Sequence, residues 1–387
     1  MRTQAEAIDV LHVFPSFVPA GSQVRTARIL GALGSAWRHA VLALDGRLDA
    51  RALVESAVDV RYLAAPPKAG SAATTLRLAQ VLERERPRLL CTYNFGSVDA
   101  GLAALSLGGV PHVHHEDGFL PDEARGQMLR RTLMRRIALV RTSRVVVISN
   151  TLLQIALQTW RLDPDQVQLI PNGIDLERFA PRTRDVSVRA RLGIGSEAFL
   201  VGAVGHLRPE KNFARLLHAA SHLPQAHVLI LGEGGERARL EQLASSLGMH
   251  GRVHLPGYDS DPRGYYGAMD VFVISSDTEQ TPLALLEAMA MGLPAVGTGV
   301  GDVASILGPA ASDWIVPLAL GPQDRASAPC SESDVVANMA GRLQLLARDG
   351  DLRQDLGAKA RQTVQARFDE RDMLRAYRHL FERAVGL

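Results

Sequence analysis

The sequence predicts an α/β protein built from two doubly wound, Rossmann-like domains, and three observations support this prediction. Short apolar runs alternate with helical patterns along most of the chain, which is typical of parallel sheets with crossover helices. This rhythm is interrupted at 169–185, where Pro171, Asn172, Gly173 and Pro181 are turn residues that indicate a linker. The 387 residues are also too many for one compact core and suit two domains.

The first half contains six segments that we expect to be strands, at 9–14, 39–45, 58–63, 89–94, 111–116 and 144–150. Helical patterns separate them, for example at 22–34, 73–86 and 122–141. Strands that alternate with helices predict a parallel sheet, so we place the first domain at residues 1–180.

The second half repeats the pattern, with predicted strands at 199–207, 227–232, 252–257, 270–276, 294–299 and 314–318. We place the second domain at 181–369, with a surface loop at 321–333 and helices over 333–385. Open α/β sheets bind ligands at the carboxyl ends of their strands, and domain interfaces are common ligand sites. We therefore expect a cleft if those ends face each other.

Composition excludes several classes of protein. The net charge of +2 gives no sign of a nucleic-acid partner. Two cysteines, Cys91 and Cys330, are too few for a disulfide framework or a zinc site, so we expect a reducing, cytoplasmic location. Glu6 and Asp9 precede any long apolar run, so no signal peptide is expected. No stretch approaches 18 uncharged apolar residues, and no membrane span is predicted.

The segment GAVGHLRPEKN (202–212) combines a strand end with two cations, Arg208 and Lys211, before a helix expected to begin near Asn212. Free amides and the helix dipole favour an anion at such a position, which predicts a phosphate site. A solvated loop between strand and helix is the alternative interpretation.

Next along the chain, GEGGER (232–237) has Arg237 where a dinucleotide fingerprint needs its third glycine. We favour a sharp turn here over a nicotinamide site.

A predicted helix PLALLEAMAMG follows Glu279, with Thr281 as its N-cap, Pro282 in the first helical position and its end at Gly292. The amides of Leu283 and Ala284 then lack intrahelical acceptors and suit a diphosphate.

Glu287 lies more than a turn inside this helix, among apolar residues. A carboxylate buried there needs hydrogen-bond donors, and vicinal sugar hydroxyls are suitable ones. The alternative is that Glu287 faces solvent.

The segment PHVHHEDGF (111–119) crowds polar residues at a strand end, which indicates a site. His112, His114 and Glu116 share one face of an ideal strand. A metal site is a competing interpretation, but the pattern is nonspecific and we expect no metal.

The stretch from Arg125 to Arg144 contains seven arginines and no acidic residue, with Met128, Leu133 and Ile137 among the interleaved apolar residues. Such a helix either lies on an anionic membrane surface or exposes an ordinary arginine-rich face.

Several of these segments resemble the retaining glycosyltransferases of family four, which have the GT-B fold. The similar segments occur in family order: VVVISN, IPNGID, VGHLRPEKN, LILGEGGER and SSDTEQTPLALLEAMAMGLPAVGTGVGD. They cover roughly 144–305, while the resemblance of the N-terminal half is weaker. The final segment, about 370–387, is similar to the family helix that crosses back to the first domain.

The resemblance implies roles for matching residues on the donor side. Glu279 would contact the donor sugar, Glu287 the nucleotide ribose, and Lys211 the diphosphate. The position of the usual family arginine holds His206, so either Arg208 or His206 supplies the charge.

Further donor contacts would come from the helix opening Thr281, Pro282 and Leu283. The glycine that the family has after the first glutamate is Gln280 here.

Towards the acceptor, Gly21 and Ser22 match the N-terminal loop whose amides face the diphosphate and the acceptor. The histidine that the family has near PHVHHEDGF corresponds to His115 when the strand ends are aligned and to Asp117 when the following glycines are aligned.

The reaction implied is transfer of a hexose-type sugar from a nucleotide diphosphate sugar to a saccharide or polyprenyl-linked acceptor, with retained configuration and without a cofactor or metal. It would serve cell-surface polysaccharide or glycolipid synthesis, with peripheral contact at the inner face of the cell membrane. A nucleotide-sugar-binding protein without turnover is the alternative, motivated by His206 and Gln280. A nicotinamide oxidoreductase is disfavoured by the incomplete glycine fingerprint.

Overall fold

The computed structural model describes residues 7–119, 123, 127–181, 185–318 and 331–386. The chain divides into two compact units: residues 1–172 with 371–387 form the N-terminal unit, and residues 173–370 form the C-terminal unit. The passage between them falls inside the segment 169–185 in which turn residues indicate a linker, before the domain end placed at residue 180. Cys330 and most of the predicted loop 321–333 lie outside the described residues.

Seven strands form the sheet of the N-terminal unit: β1 (Val10–Phe14), β2 (His39–Ala43), β3 (Val60–Leu63), β4 (Leu89–Tyr93), β5 (His112–Glu116), β6 (Arg144–Val147) and β7 (Val167–Leu169). Their order is β3-β2-β1-β4-β5-β6-β7, and all neighbours are parallel. Strands β1, β2, β4 and β5 are fully buried, as expected for a parallel sheet covered on both faces. Strand β7 was not predicted, because it is a short strand at the sheet edge.

Six strands form the sheet of the C-terminal unit: β8 (Phe199–Val204), β9 (Ala226–Leu231), β10 (Val253–Gly257), β11 (Val271–Ile274), β12 (Ala295–Thr298) and β13 (Ile315–Val316). Their order is β10-β9-β8-β11-β12-β13, again with parallel neighbours. In both units the order reverses beside the first strand, which is the topology of a doubly wound sheet.

The helices of the first half are α1 (Gly21–Leu33), α2 (Ser71–Glu85), α3 (Val98–Leu107), α4 (Leu129–Leu139) and α5 (Asn150–Gln154). Those that follow are α6 (Val186–Arg191), α7 (Phe213–Ser221), α8 (Arg237–Ser246), α9 (Arg263–Ala268), α10 (Leu283–Ala290), α11 (Val303–Leu307), α12 (Glu332–Arg348), α13 (Gly350–Arg367) and α14 (Glu370–Ala384). Helix α4 starts later than the predicted 122–141, and Arg125 lies outside the described residues.

Helix α14 packs into the N-terminal unit although it ends the chain. Its Met373, Tyr377, Leu380 and Phe381 are buried in the same core as Phe14 of β1. The last helix therefore completes the core of the first unit.

Among the described residues, no helix combines the length and the apolar composition needed to cross a bilayer.

Candidate functional site

The loops at the carboxyl ends of β8, β9 and β10 are held together by backbone hydrogen bonds. The amide of Gly205 donates to Leu231 O at 3.0 Å, and the amide of Gly232 donates to Gly257 O at 2.8 Å. A Cβ on Gly234 would lie 2.4 Å from Leu207 O. A Cβ on Gly232 would lie 2.0 Å from Gly205 O, so close backbone approach accounts for both Gly232 and Gly234 of GEGGER.

Lys211 and Glu279 lie in direct contact beside these loops. Lys211 Nζ donates to Glu279 Oε1 at 2.6 Å, and Ser276 Oγ donates to the same oxygen at 2.7 Å. The Glu279 side chain is 9% exposed and that of Lys211 is 27% exposed. The structure thus brings together the two residues that the sequence assigned to the sugar and the diphosphate.

The contact is built by hydrogen bonds between the loop that follows β8 and the loop that follows β11. Ser275 Oγ donates to Lys211 O at 2.9 Å, and the amide of Asp277 donates to Glu210 O at 2.9 Å. Asn212, with a left-handed φ of 43°, caps α7 and donates to Asp277 Oδ1 at 3.2 Å. These hydrogen bonds fix the backbone on both sides of the Lys211–Glu279 ion pair.

Gly301, to which the sequence analysis assigned no role, supports the backbone of Glu279. A Cβ at Gly301 would lie 2.0 Å from Glu279 O, and its φ is +53°. The amide of Asp302 donates to Gln280 O at 3.1 Å. Only a glycine fits this approach, and the signal in the sequence is its place in GTGVGD after β12.

Gln280 lies in the loop before α10, whereas His206 and Arg208 lie in the loop after β8. Gln280 does not need a left-handed backbone, so the position accepts a side chain where the family has glycine. His206 and Arg208 are exposed, and Arg208 lies 3.9 Å from Glu210. The amide of Lys211 donates to Arg208 O at 3.1 Å, but within the described residues no side-chain hydrogen bond or ion pair joins His206 or Arg208 to Lys211 Nζ or to the Glu279 carboxylate.

Helix α10 begins one residue later than predicted. The amides of Leu285 and Leu286 donate to Pro282 O, which makes Pro282 the N-cap in place of Thr281, and Leu283 the first helical residue. It also ends at Ala290, short of Gly292. Within the described part of the chain, the amides of Leu283 and Ala284 donate to no backbone acceptor.

Glu287 is part-buried on α10, and its partner is Tyr266 of α9. Tyr266 Oη donates to Glu287 Oε2 at 2.7 Å. Burial raises the pKa of the Glu287 carboxyl to about 7, although the Tyr266 hydroxyl and the Arg178 charge act to lower it. The cost of burying this carboxylate was predictable from the sequence, but this donor was not, because it is contributed by a different helix.

In the N-terminal unit, His115 is buried on β5 with 1% of its surface exposed. Its ring stacks on Tyr93 at 4.5 Å between centroids and on Tyr377 of α14 at 5.7 Å. Burial holds the pKa of His115 well below its usual range, and the nearby Arg25 charge lowers it further, so the ring is neutral.

Asp117 follows the end of β5 and is ion-paired with Arg25 of α1. Its amide donates to Asn94 Oδ1 at 2.7 Å, and Asn94 adopts a left-handed φ of 57°. Arg25, which is 3% exposed, also donates to Asn172 Oδ1 at 2.9 Å. Arg25 and Asn94 were not predicted from the sequence, because their roles depend on partners distant in the chain.

Gly21 and Ser22 form the first turn of α1, whose N-cap is Ala20. Ser22 Oγ donates to Gln23 Oε1 at 2.8 Å, while Gln23 Nε2 donates to Ser16 O at 2.9 Å. The loop before α1 is therefore tied to the helix by side-chain hydrogen bonds.

The three residues weighed as a metal site do lie on one face of β5, but they have other partners. Thr92 Oγ1 lies 2.7 Å from His112 Nε2 and 2.8 Å from His114 Nδ1, and Arg135 donates to Glu116 Oε2 at 3.1 Å. The described ranges contain no group of three or more His, Cys, Asp or Glu residues arranged to hold a metal ion.

Known proteins similar to this chain include two curated bacterial relatives. One is the UDP-Gal:alpha-D-GlcNAc-diphosphoundecaprenol alpha-1,3-galactosyltransferase of Escherichia coli, 28% identical over 236 residues, or 58% of this chain and 61% of that protein. The other is the lipopolysaccharide core biosynthesis glycosyltransferase LpsD of Rhizobium meliloti (strain 1021), 29% identical over 51% of this chain and 53% of that protein. The matched region thus spans somewhat more than half the length of these relatives.

The crystal structure of Anabaena Alr3699/HepE in complex with UDP-glucose is similar over nearly the whole chain. It has a TM-score of 0.79 and 19% identity, and the match covers 96% of this chain and 99% of that one. This likeness concerns the fold, and it confirms the prediction of two Rossmann-like, parallel-sheet domains.

Two family models match in succession along the chain. Glycosyltransferase Family 4 matches residues 19–178, and Glycosyl transferases group 1 matches residues 187–363. Since the two models together account for most of both units, the chain belongs to the family-four glycosyltransferases with the GT-B fold.

Proposed function

We propose that the protein transfers a sugar from a nucleotide diphosphate sugar to a hydroxyl acceptor with retention of configuration. The observation that carries this proposal is the contact of Lys211 with Glu279, which lies in the loop that leads into α10. A cation, a carboxylate and free helix amides at one place suit a ligand that joins a sugar to a diphosphate.

The donor is placed along α10. Its diphosphate lies on the amides of Leu283 and Ala284 and on Lys211, because both helix terminus and ammonium favour an anion. The sugar lies against Glu279. The ribose hydroxyls donate to Glu287, which is about 6 Å further along the helix axis, at about 1.5 Å per residue.

Catalysis acts on the charge that develops as the bond between sugar and diphosphate breaks. Lys211 and the helix amides stabilise the departing diphosphate, since preorganised positive charge is most effective where negative charge appears. These groups supply the electrostatic stabilisation that a divalent ion provides in other transferases, so we propose that the reaction is metal-independent.

On the acceptor side, Asp117 is the better placed of the two residues that match the family position. It lies beyond the end of β5, and its side chain is 12% exposed, whereas His115 is enclosed between two tyrosine rings. We assign Asp117 to the acceptor hydroxyl and His115 to support of the strand end.

Two relatives support the donor and acceptor classes that we propose. The Escherichia coli protein is named for a UDP-sugar and a diphosphoundecaprenol-linked sugar, and the Anabaena protein was crystallised with UDP-glucose. We therefore propose a uridine diphosphate hexose as the donor and a saccharide or polyprenyl-linked saccharide as the acceptor.

Helix α4 supports a peripheral contact with an anionic membrane. Leu129, Leu133 and Ile137 recur every fourth residue and are 88%, 57% and 49% exposed. Arg130 and Arg141 are exposed near them, and the stretch 124–144 contains no acidic residue. Arg135 does not belong to this surface, because it is buried against Glu116 and Glu123. An apolar stripe with flanking cations suits the negatively charged inner face of a cell membrane.

The test is a panel of UDP-, GDP- and ADP-sugars with the purified chain, read by thermal shift and by release or transfer of labelled sugar. We expect a stabilising shift with a UDP-hexose, together with turnover when a saccharide or polyprenyl-linked acceptor is added. A stabilising shift without release or transfer would instead indicate a binding protein, and no shift with any donor would contradict the proposal.

A further inference from the structure

Tyr266 and Glu287 form a pair that links two helices of the C-terminal unit. Tyr266 Oη lies 2.7 Å from Glu287 Oε2 and 3.3 Å from Ala284 O, and the tyrosine is fully buried. Its ring packs against Phe179 and Phe272, with centroids 6.3 and 5.9 Å away. The hydroxyl is therefore held in one place by aromatic packing around the ring.

The two oxygens of Glu287 differ in their surroundings. Oε2 accepts from Tyr266, whereas no hydrogen bond from the described residues reaches Oε1. An ionised carboxylate in a part-buried position needs more than one donor. Oε1 therefore has capacity to accept from a ligand hydroxyl.

We propose that Tyr266 is a positioning residue for the donor: its hydroxyl holds Oε2 of Glu287 and leaves Oε1 for the ribose hydroxyls. The inference rests on the proposed function, because it takes Glu287 as the ribose contact. The residue that it adds, Tyr266, makes no contact with the donor and acts through Glu287.

The electrostatic surroundings agree with this role. Arg178, in the segment before α6, lowers the pKa of Glu287, as does the tyrosine hydroxyl, and burial outweighs both. Arg361 of α13 donates to the carbonyl of Ala290 on α10, and Asp261 pairs with Arg263 beside Arg178. Tyr266 is therefore the residue that hydrogen-bonds to Glu287 and favours the ionised form of its carboxyl. The ionised carboxylate is the form that accepts hydrogen bonds from ligand hydroxyls.

This arrangement links donor binding to pH. Ligand hydroxyls donate to the ionised carboxylate, so affinity rises as pH increases through the pKa of Glu287, which is about 7. Removal of the tyrosine hydroxyl raises that pKa further, so the rise in affinity moves to higher pH.

The experiment measures binding of UDP and of 2′,3′-dideoxyuridine diphosphate to wild type, Tyr266→Phe and Tyr265→Phe by calorimetry between pH 6 and 9. Tyr265 is the matched control, because it is the neighbouring buried tyrosine and its ring lies under Arg191. Tyr266→Phe keeps the ring that packs on Phe179 and Phe272, and thermal melts check that it is folded. The pH profile of Glu287→Gln shows how much of the change in affinity comes from titration of the nucleotide itself.

We expect Tyr266→Phe to weaken UDP binding about tenfold at pH 7, as a hydrogen bond to a charged group warrants. Binding of the dideoxy analogue should change less than about twofold, and Tyr265→Phe should match wild type with both ligands. The pH at which UDP affinity levels off should move upward in Tyr266→Phe alone.

Equal losses for UDP and the dideoxy analogue, or an unchanged pH profile, would overturn the inference, because either result means that Tyr266 does not act through Glu287. Wild-type affinity in Tyr266→Phe would also overturn it. Failure of the wild-type chain to bind any nucleotide would contradict the proposed function itself, which is a separate outcome.

Discussion

Lys211 Nζ and Glu279 Oε1 are 2.6 Å apart, although 68 residues separate them in the sequence. The proposed diphosphate contact and the proposed sugar contact are therefore neighbours before any ligand is present. This proximity fits a donor in which the sugar is bonded directly to the phosphate, and it motivates the first prediction.

Lys211→Ala should lower kcat/KM for the donor by well over tenfold, because the variant lacks the ammonium that stabilises the departing diphosphate. Initial rates with a UDP-sugar measure the effect. Lys359→Ala is the matched control, since Lys359 is exposed on α13 and pairs with Asp355 one turn away. Wild-type donor kinetics in Lys211→Ala would refute the phosphate assignment.

Gly301→Ala should reduce transfer at least tenfold. Its Cβ would meet Glu279 O at 2.0 Å and the backbone would keep a strained φ of +53°, so the loop that carries Glu279 must move. Gly341→Ala on α12 is the control, because a Cβ there has nothing within 4 Å and alanine favours a helix. The measurements are transfer assays and melting curves for both variants. Unchanged transfer in Gly301→Ala would contradict the prediction.

Glu287→Gln should stabilise the protein at pH 8 and have little effect at pH 4. Burial raises the pKa of Glu287 from 4.5 to about 7, so the folded state binds more protons than the unfolded state between these values. Stability is therefore lost as pH rises through this window, by about 3 kcal/mol when complete. Melting curves of both proteins from pH 4 to 8 test this, and a constant difference across pH would contradict it.

Asp117→Asn should lower the free energy of unfolding by about 3 kcal/mol, because it leaves the buried Arg25 charge without its carboxylate. The double variant Arg25→Met with Asp117→Asn should recover much of this stability. It should not recover transfer, since Asp117 is assigned to the acceptor. Urea unfolding and transfer assays separate the two effects, and a double variant that regains activity would show that Asp117 is structural.

Leu133→Asn should weaken flotation with vesicles that contain anionic lipid, because it interrupts the apolar stripe of α4. Leu345→Asn on α12 is the matched control, since both leucines are 57% exposed. Flotation at low salt is the measurement. Equal flotation of the two variants, or no flotation of the wild type, would contradict the membrane contact.

Much of the fold was predictable because strands and helices leave local signals. Strands β1, β2 and β4 are buried throughout, and burial on both faces requires the largely apolar segments from which they were predicted. Element ends were less predictable: α10 begins at Leu283 because the carbonyl of Pro282 takes the first helical hydrogen bonds. The residue at which a helix begins therefore depends on the conformation of the loop that precedes it.

The α/β class and the tandem of two Rossmann-like domains follow from periodicity and turn residues, which are local properties of the chain, and the candidates Lys211, Glu279 and Glu287 follow from local motifs and their family resemblance. Which of these residues meet, and what surrounds them, depends on the folded chain. The pairing of Arg25 with Asp117, the placement of Gly301 under Glu279 and the Tyr266 donor all join residues remote in sequence. The pKa of Glu287 belongs with them, since desolvation and hydrogen bonding act through space and have no counterpart in the local pattern of the chain.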